Sequence, residues 1–512
     1  MTSWQQSFHA LLHPRVITML FFGFSAGIPL LLIFSSLGLW LREAGIDRAA
    51  ATFFSWAALG YSFKFVWAPI VDFLPFPILG KYLGRRRSWI LVSQIAIILS
   101  IFLMGITDPA LGNTQLKIMA LAAVALGFSS ATQDIVIDAY RIESAPIKFQ
   151  ALMSSTYIAG YRIGMIVSGA GSLFVASYLG SEMNSYNYEA WRITYFIMGL
   201  FMLIGVATTL IINEPEENKI IKVQHSNYIY IRFFIIFLIA IFCFIGVFLS
   251  SSDISTYLKN LLTEILNNRN FSNFLIELLR LFFALLIASL IAILSIKIKF
   301  IEKKVFVESY VSPVSDFFQR YGIKLALFLL ILIGLYRISD IVLGVISNIF
   351  YQDLQFSKVE IATIVKTYGL VMTIVGGFLG GILSMKYGVL RILYLGAFLT
   401  VVTNLLFMLL SIYGYNLPLL YFVISADNLS AGIASAAFVA FLSRLTNISF
   451  TAMQYAIFSS LMTLLPKILG GYSGSIVENI GYTNFFLIAS LLGVPVLLVI
   501  FYINKYLKFD ET

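Results

Sequence analysis

The sequence predicts an all-α integral membrane protein of about fourteen transmembrane helices, laid out as two six-helix halves with two inserted helices between them. Three observations carry that prediction. The 512 residues are 60% hydrophobic and 12% charged, with a mean hydropathy of +0.91, whereas a soluble domain is roughly half apolar and a quarter charged. Apolar runs of about 20 residues, the length of one bilayer span, recur along nearly the whole chain. Short stretches at the start of early spans recur at the start of late ones.

Helix is the physical expectation for each run, because a span in lipid must satisfy its own backbone and nothing suggests a barrel. Span 1 lies at about 16–39. The residues before it are too polar for a signal sequence and no cleavage site follows, so it reads as a retained helix. Span 2 (51–70) precedes a loop with Lys81, Arg85, Arg86 and Arg87. Spans 3 and 4 occupy 89–107 and 116–140. Spans 5 and 6 (149–178, 191–213) are joined by Leu179–Ala190, whose only charges are Glu182 and Glu189. Spans 7 and 8 (229–250, 273–296) sit between the polar stretches Asn213–Asn227 and Lys297–Gly322. Spans 9 to 14 follow at 323–350, 359–384, 393–413, 419–442, 452–471 and 484–504.

Lys297, Lys299, Lys303, Lys304, Arg320, Lys386, Arg391, Arg444, Lys505 and Lys508 fall on the same side as Lys81 and Arg85–Arg87. The positive-inside rule therefore places both termini in the cytoplasm. The net charge of +9 is topology information and no nucleic-acid surface. The single cysteine, Cys243, offers no disulfide framework or metal cluster. His9, His13 and His225 lie outside the spans, which argues against a buried histidine relay.

Ile46-Asp47-Arg48 before span 2 matches Phe356-Ser357-Lys358 before span 10, and Gln150–Ser155 matches Gln454–Ser460. The second match sets Arg162 opposite Pro466-Lys467. The expected organisation is a first half at 1–213, linkers and two extra helices at 214–322, and a second half at 323–512. Parallel halves with substrate between them near the midplane are the major facilitator arrangement.

The informative residues are the ionisable ones at depth. Asp134, Asp138 and Arg141 share one helical face. Arg162 is the fourteenth residue of the thirty-residue segment Phe149–Tyr178, near mid-bilayer. A charge there costs about 2.5–3.5 kcal/mol on insertion scales unless it is paired or wet. Arg162 and the Asp134/Asp138 face are therefore expected to line one polar cavity, which points to a transporter. Arg337 and Asp340 are spaced for an intrahelical ion pair, structural or functional. Lys366 and Asp427, assigned with Lys467 to the substrate-binding wall, lie in the outer third and are placed to pair across helices. Lys467 follows Pro466, where a broken helix frees a carbonyl. Lys64 reads either as a binding residue or as a cation snorkelling to the surface. Tyr61, Gln133, Tyr157, Tyr161 and Trp67 are assigned to the cavity, the aromatic rings as stacking surfaces. Asp72 with Arg85, Arg86 and Arg87 forms the expected cytoplasmic gating loop. The glycines of span 5 (Gly160, Gly164, Gly169, Gly171) and span 10 (Gly376, Gly377, Gly380, Gly381) are spaced for close helix packing. No phosphate-binding loop is present, which argues against an ATP-driven pump. No interfacial nucleophile or metal set suggests a membrane enzyme.

At these residues the chain resembles the AmpG-type muropeptide permeases of the major facilitator superfamily and, more distantly, the acetyl-CoA transporters. The resemblance is carried by FGFSAGIPL (22–30), YSFKFVWAPIVD (61–72), LGRRRSW (83–89), ATQDIVIDAYRIE (131–143) and AGYRIGMIVSG (159–169). In the second half it is carried by YRISD (336–340), KTYGLVMTIVGGFLGG (366–381), DNLSAG (427–432), AAFVA (436–440) and GYSGSIVE (471–478). Pro466-Lys467 and Asp427 stand where the family leads one to expect Gly-Arg and Glu.

The resemblance implies import of anhydro-muropeptides, amino-sugar disaccharides carrying a short peptide, across a bacterial inner membrane for peptidoglycan recycling. It implies proton symport with no cofactor beyond the proton gradient, a monomer in contact with lipid, and no enzymatic activity. The alternative is a secondary transporter of another bulky anion, such as a CoA thioester, a siderophore or a nucleotide. The expected mechanism has Asp134 change protonation as Arg162 changes partner and grips a carboxylate of the peptide.

Overall fold

A computed structural model of the chain describes residues 10–46, 61, 63–73, 76, 79–182, 185–215, 227–266, 269–300, 302–357, 360–470 and 473–506. Among these the backbone is helical, apart from short connections and a bridge between Glu182 and Ser185. The helices are α1 (Pro14–Ile33), α2 (Ser35–Glu43), α3 (Ala68–Phe73), α4 (Leu79–Leu83), α5 (Arg85–Gly105), α6 (Asn113–Ser144), α7 (Gln150–Ile166), α8 (Ser172–Tyr178), α9 (Tyr188–Phe201) and α10 (Leu203–Ile211). Then come α11 (Asn227–Ser250), α12 (Ser252–Leu266), α13 (Arg269–Lys297), α14 (Lys303–Phe306), α15 (Ser312–Leu335), α16 (Ile338–Asp353), α17 (Gly369–Tyr387), α18 (Val389–Tyr413), α19 (Leu417–Leu445), α20 (Thr451–Gly470) and α21 (Ser473–Tyr506). Wider π turns at Val167–Gly171 and Ile361–Tyr368 join α7 to α8 and lead into α17.

Ten of the described helical segments are long and apolar enough to cross a membrane. Most of expected span 2 lies outside the described residues. Three differences from the sequence reading have physical causes. Span 9 is broken at Tyr336-Arg337, between α15 and α16. The expected linker Lys297–Gly322 is helical from Lys303 and interrupted at Gly322, whose φ of 69° no helix accommodates. A further helix, α12, joins spans 7 and 8; it is amphipathic, so it produced no long apolar run.

The chain divides into two compact units, residues 1–220 with 317–512, and residues 221–316. In the second of these, α11 packs along α13, and α12 lies against α13 with Arg280 Nε donating to Ser251 Oγ (2.9 Å). The larger unit holds a first half (residues 14–211) and a second half (317–506), each with its own core. The first centres on stacked Trp40 and Trp191 (5.5 Å), with Tyr195, Ile97, Met104 and Leu126. The second half has one cluster around Phe350, Phe407 and Phe486 and another around Tyr336, Phe438 and Phe441. Ile142 and Ala151 of the first half join the latter.

Helix α7 is the element between the halves, and its two faces are built differently. A Cβ on Gly160 would lie 1.9 Å from the Leu20 carbonyl oxygen, and one on Gly164 would lie 2.3 Å from that of Phe24. Gly23 and Gly27 of α1 are equally tight against the Tyr157 and Tyr161 carbonyls (2.0 and 2.1 Å). Backbone contact this close admits only hydrogen at those positions. On the opposite face, Ser155 Oγ donates to the Gly377 carbonyl of α17 (2.7 Å). In α17, Gly376 and Gly380 pack against α19, Gly381 faces Ser155, and Gly377 has open space around it. Gly169 meets only the Leu31 side chain, and Gly171 has no close neighbour.

Candidate functional site

The first group of charges closes the end where the basic loops gather. Gly84, with φ 85°, turns the chain into α5 beneath Glu214; a Cβ there would lie 2.4 Å from Glu214 Cγ. The Glu214 carboxylate accepts from the backbone N–H of Arg86 (2.6 Å) and Arg87 (3.0 Å), satisfying two orphan donors of the helix start. Burial raises the Glu214 carboxyl above its ordinary range, against the pull of those two bonds.

Arg86 is 1% exposed. Its Nη2 pairs with Asp72 Oδ1 (2.7 Å) and Glu143 Oε1 (2.5 Å), and its Nε with Glu143 Oε2 (2.9 Å). Asp72 also accepts from the backbone N–H of Ala452 (3.0 Å) and Met453 (2.8 Å), the first turn of α20. Thr451 Oγ1 donates to Glu143 (2.6 Å). A helix N-terminus of the second half is thus held by two carboxylates of the first, the arrangement its dipole favours. Arg85 donates to the Asp72 carbonyl. Arg87 turns away to the carbonyls of Thr209 (3.0 Å) and Leu210 (2.8 Å). Glu143 and Glu214 were missed from the sequence, although Glu143 closes the run 131–143 and Glu214 follows span 6 on the basic side.

The second group is buried inside the first half. Asp138 stands between Lys64 Nζ (3.9 Å) and Arg141 Nη2 (3.2 Å). Lys64 is 7% exposed, so it is a paired internal cation and does not snorkel. Arg141 is fully buried; its Nη1 donates to Gln150 (3.1 Å), Ser154 (3.2 Å) and, across the halves, Ser443 (2.7 Å). The Tyr455 ring of α20 lies 5.2 Å from the Arg141 guanidinium. Asp134, one turn before Asp138, accepts from Tyr157 Oη (3.2 Å) and is electrostatically coupled to Lys64. Tyr161 neighbours both Asp134 and Arg162, and Tyr61 Oη donates to Ser130 (2.6 Å).

The third group belongs to the second half. Arg337, at the break before α16, pairs with Asp340 Oδ2 (2.6 Å), and its Nη1 donates to Ser435 of α19 (2.5 Å). Asp340 sits in the first turn of α16, where the dipole favours an acid. Asp427 neighbours Asp340, Arg337 and Thr403.

Several expectations change here. The electrostatic partners of Arg162 are Arg337, Tyr161 and Asp340 of the second and first halves, and those of Asp134 are Lys64, Asp138 and Tyr157. Among the described residues no bond joins Asp134 to Arg162, and Tyr161 is the neighbour they share. Lys366 is exposed on a π turn and is not paired with Asp427. Trp67 is packed on Phe128 (4.6 Å) and donates to Thr132 (3.1 Å), a core residue and no stacking surface. Gln133 is fully buried, and among the described residues neither its amide oxygen nor its nitrogen has a partner. Pro466 stays within the helical run of α20, and the Lys467 side chain lies outside the described residues.

Comparison with known proteins follows the same lines. The Major Facilitator Superfamily family model matches residues 15–336 and 328–508. The chain is 29% identical over 491 residues to the putative transporter AmpG 4 of Rickettsia felis, covering 96% of this chain and 97% of the relative. It is 28% identical over 499 residues to the anhydromuropeptide permease of Escherichia coli K12, covering 97% and 81%. Among solved structures it is similar to the transporter FucP in the outward conformation (TM-score 0.60, 10% identity, 96% and 99% covered) and to the proton:xylose symporter XylE (TM-score 0.58, 11% identity, 98% and 96% covered). At such identities the structural likeness concerns the fold.

Proposed function

The chain belongs to the Major Facilitator Superfamily, and from that membership we propose that it is a proton-coupled importer of anhydro-muropeptides. It works by alternating access in a bacterial inner membrane, with both termini cytoplasmic. The cargo class rests on its similarity over nearly its whole length to a protein named anhydromuropeptide permease. One observation carries the coupling: an acid–base group buried in the first half is hydrogen-bonded through Arg141 to Ser443 of the second.

The chemistry follows from that group. Lys64 serves two carboxylates, Asp134 and Asp138, and Arg141 shares Asp138 with it. A proton arriving at Asp134 from the side opposite the basic loops cancels one of the two negative charges facing Lys64. Lys64 then bears on Asp138 alone and draws it from Arg141. Arg141 is then a buried cation without its counter-charge, and opening of the basic end, which lets water reach it, relieves that cost. Departure of the proton to the cytoplasm restores the pairing and closes that end again. A buried guanidinium is expensive to leave unpaired, so the protonation state and the closure of the basic end are energetically linked.

The test is uptake of radiolabelled GlcNAc-anhydroMurNAc-peptide into proteoliposomes, with and without an imposed inward proton gradient. Accumulation only with the gradient is expected. Uptake that merely equilibrates would refute coupling. No uptake by folded protein would refute the cargo and turn attention to other bulky anions.

A further inference from the structure

Arg162 is the charge that the coupling group leaves unused. Among the described residues it makes no hydrogen bond and no ion pair. Its direction is fixed by α7. Ser155, seven residues earlier, donates to Gly377 of the second half. Seven residues are two helical turns within about 20°, so Arg162 faces the second half one level above that contact. Gly160 and Gly164, on the far side of the helix, are locked against α1, so the helix has no freedom to rotate Arg162 away. Opposite stands Arg337, itself an electrostatic neighbour of Arg162. Arg337 uses its two terminal nitrogens on Asp340 and Ser435, and its buried Nε has no partner.

Two guanidiniums from different halves, each with unused donors, are electrostatic neighbours, and Asp340, bonded to Arg337, acts on both. Like charges at short range inside a membrane repel, and a carboxylate placed between them matches both forks. We propose that Arg162 and Arg337 form a two-sided seat for a carboxylate of the cargo peptide, so that a carboxylate-bearing cargo draws the halves together. This rests on the reading of the chain as a muropeptide carrier and assigns the peptide's acid, apart from the sugars, to a particular site. Asp340 is the built-in competitor: it occupies Arg337 in the empty protein and is displaced from part of that contact when the cargo seats.

The experiment measures binding to the full chain in nanodiscs by calorimetry. Two probes are used, GlcNAc-anhydroMurNAc-tripeptide and the same compound with its peptide carboxylates converted to amides. The wild type is expected to prefer the acid form by about 10- to 100-fold, the worth of a charge-assisted pair. Arg162→Gln is expected to abolish that preference and leave the amide form bound as in the wild type. Arg162→Lys, which keeps the charge and loses the fork, is expected to fall between. Because Arg162 makes no bond among the described residues and is repelled by Arg337, the thermal midpoint of Arg162→Gln should be no lower than that of the wild type. Equal weakening of both probes in Arg162→Gln overturns the seat, as does a wild type indifferent to amidation. A folded wild type that binds neither probe removes the muropeptide reading, and the seat falls with it.

Discussion

Asp72→Asn is the sharpest probe of the closed basic end. The substitution keeps the size of the side chain and removes its charge. Asp72 Oδ1 receives Arg86 Nη2 and the Ala452 N–H, and Oδ2 receives the Met453 N–H. With the amide oxygen in the Oδ1 position, the first two bonds survive as neutral-acceptor bonds, and the amide nitrogen meets the Met453 N–H donor to donor. Arg86 keeps Glu143, so the arginine is not stranded. The loss is one bond to a charged acceptor and the weakening of two others. At about 1.5–3 kcal/mol for a charge-assisted bond and ~1 kcal/mol for the lost helix-dipole attraction, the closed state should lose about 2.5–4 kcal/mol. That is a shift of about 60- to 700-fold in the ratio of closed to open forms. The assay is double electron–electron resonance between spin labels at Lys81 and Ile448, both exposed and one in each half, after replacing Cys243 by serine. The expected result is a new population at longer distance. Superimposable distance distributions for the variant and the parent in the same lipid would refute the claim that these bonds hold the basic end shut.

Other outcomes follow from particular contacts. Asp134→Asn should abolish gradient-driven accumulation while leaving cargo exchange measurable in proteoliposomes; accumulation that persists would move the coupling elsewhere. Gly160→Ala should leave little folded protein by size-exclusion chromatography, because its Cβ meets the Leu20 carbonyl at 1.9 Å. Gly377→Ala, with open space around it, should fold as well as the parent or better, since alanine gains about 1 kcal/mol over glycine in a helix. Gln133→Met should raise or preserve the thermal midpoint, because the buried amide it removes has no partner and such a group costs about 1–3 kcal/mol; a fall in the midpoint would mean that the amide has a partner.

The sequence displays its charges at depth because each is improbable there. Pairings within one helix are equally legible: Asp138 with Arg141 and Arg337 with Asp340 follow from spacing alone. Pairings between helices are not. Lys64 finds Asp138 because a short 3-10 turn brings it against α6, and the face of α7 that carries Arg162 is set by the packing of Gly160 and Gly164 on α1. The acids at the basic end were overlooked for a different reason. Orientation is read from lysine and arginine, so Glu143 and Glu214 carried no weight in it, yet they neutralise the arginines that the rule counts. Helices that do not cross the bilayer gave no signal either. Residues 303–321 are too polar to register as a span, and α12 divides its apolar residues along one face.

The two faces of α7 bear on how the protein moves. On one side, four glycines bring the α1 and α7 backbones into contact over two turns. Side chains can repack, but backbone seated in backbone cannot slide without opening a void. On the other side, Ser155 donates to a carbonyl of α17 and Ala151 and Leu152 pack by side chain and carbonyl near Gly381, while Arg162 makes no bond among the described residues. Any relative motion of the halves must therefore occur at the second face, with α1 and α7 travelling as one body. At the basic end that interface is held by charge: Asp72, Glu143 and Arg141 each bind a donor, acceptor or ring of α19 or α20. Toward the middle it holds charge without a bond. Rocking as rigid halves is the motion this distribution favours, released at the charged end and drawn shut where the guanidiniums await an anion.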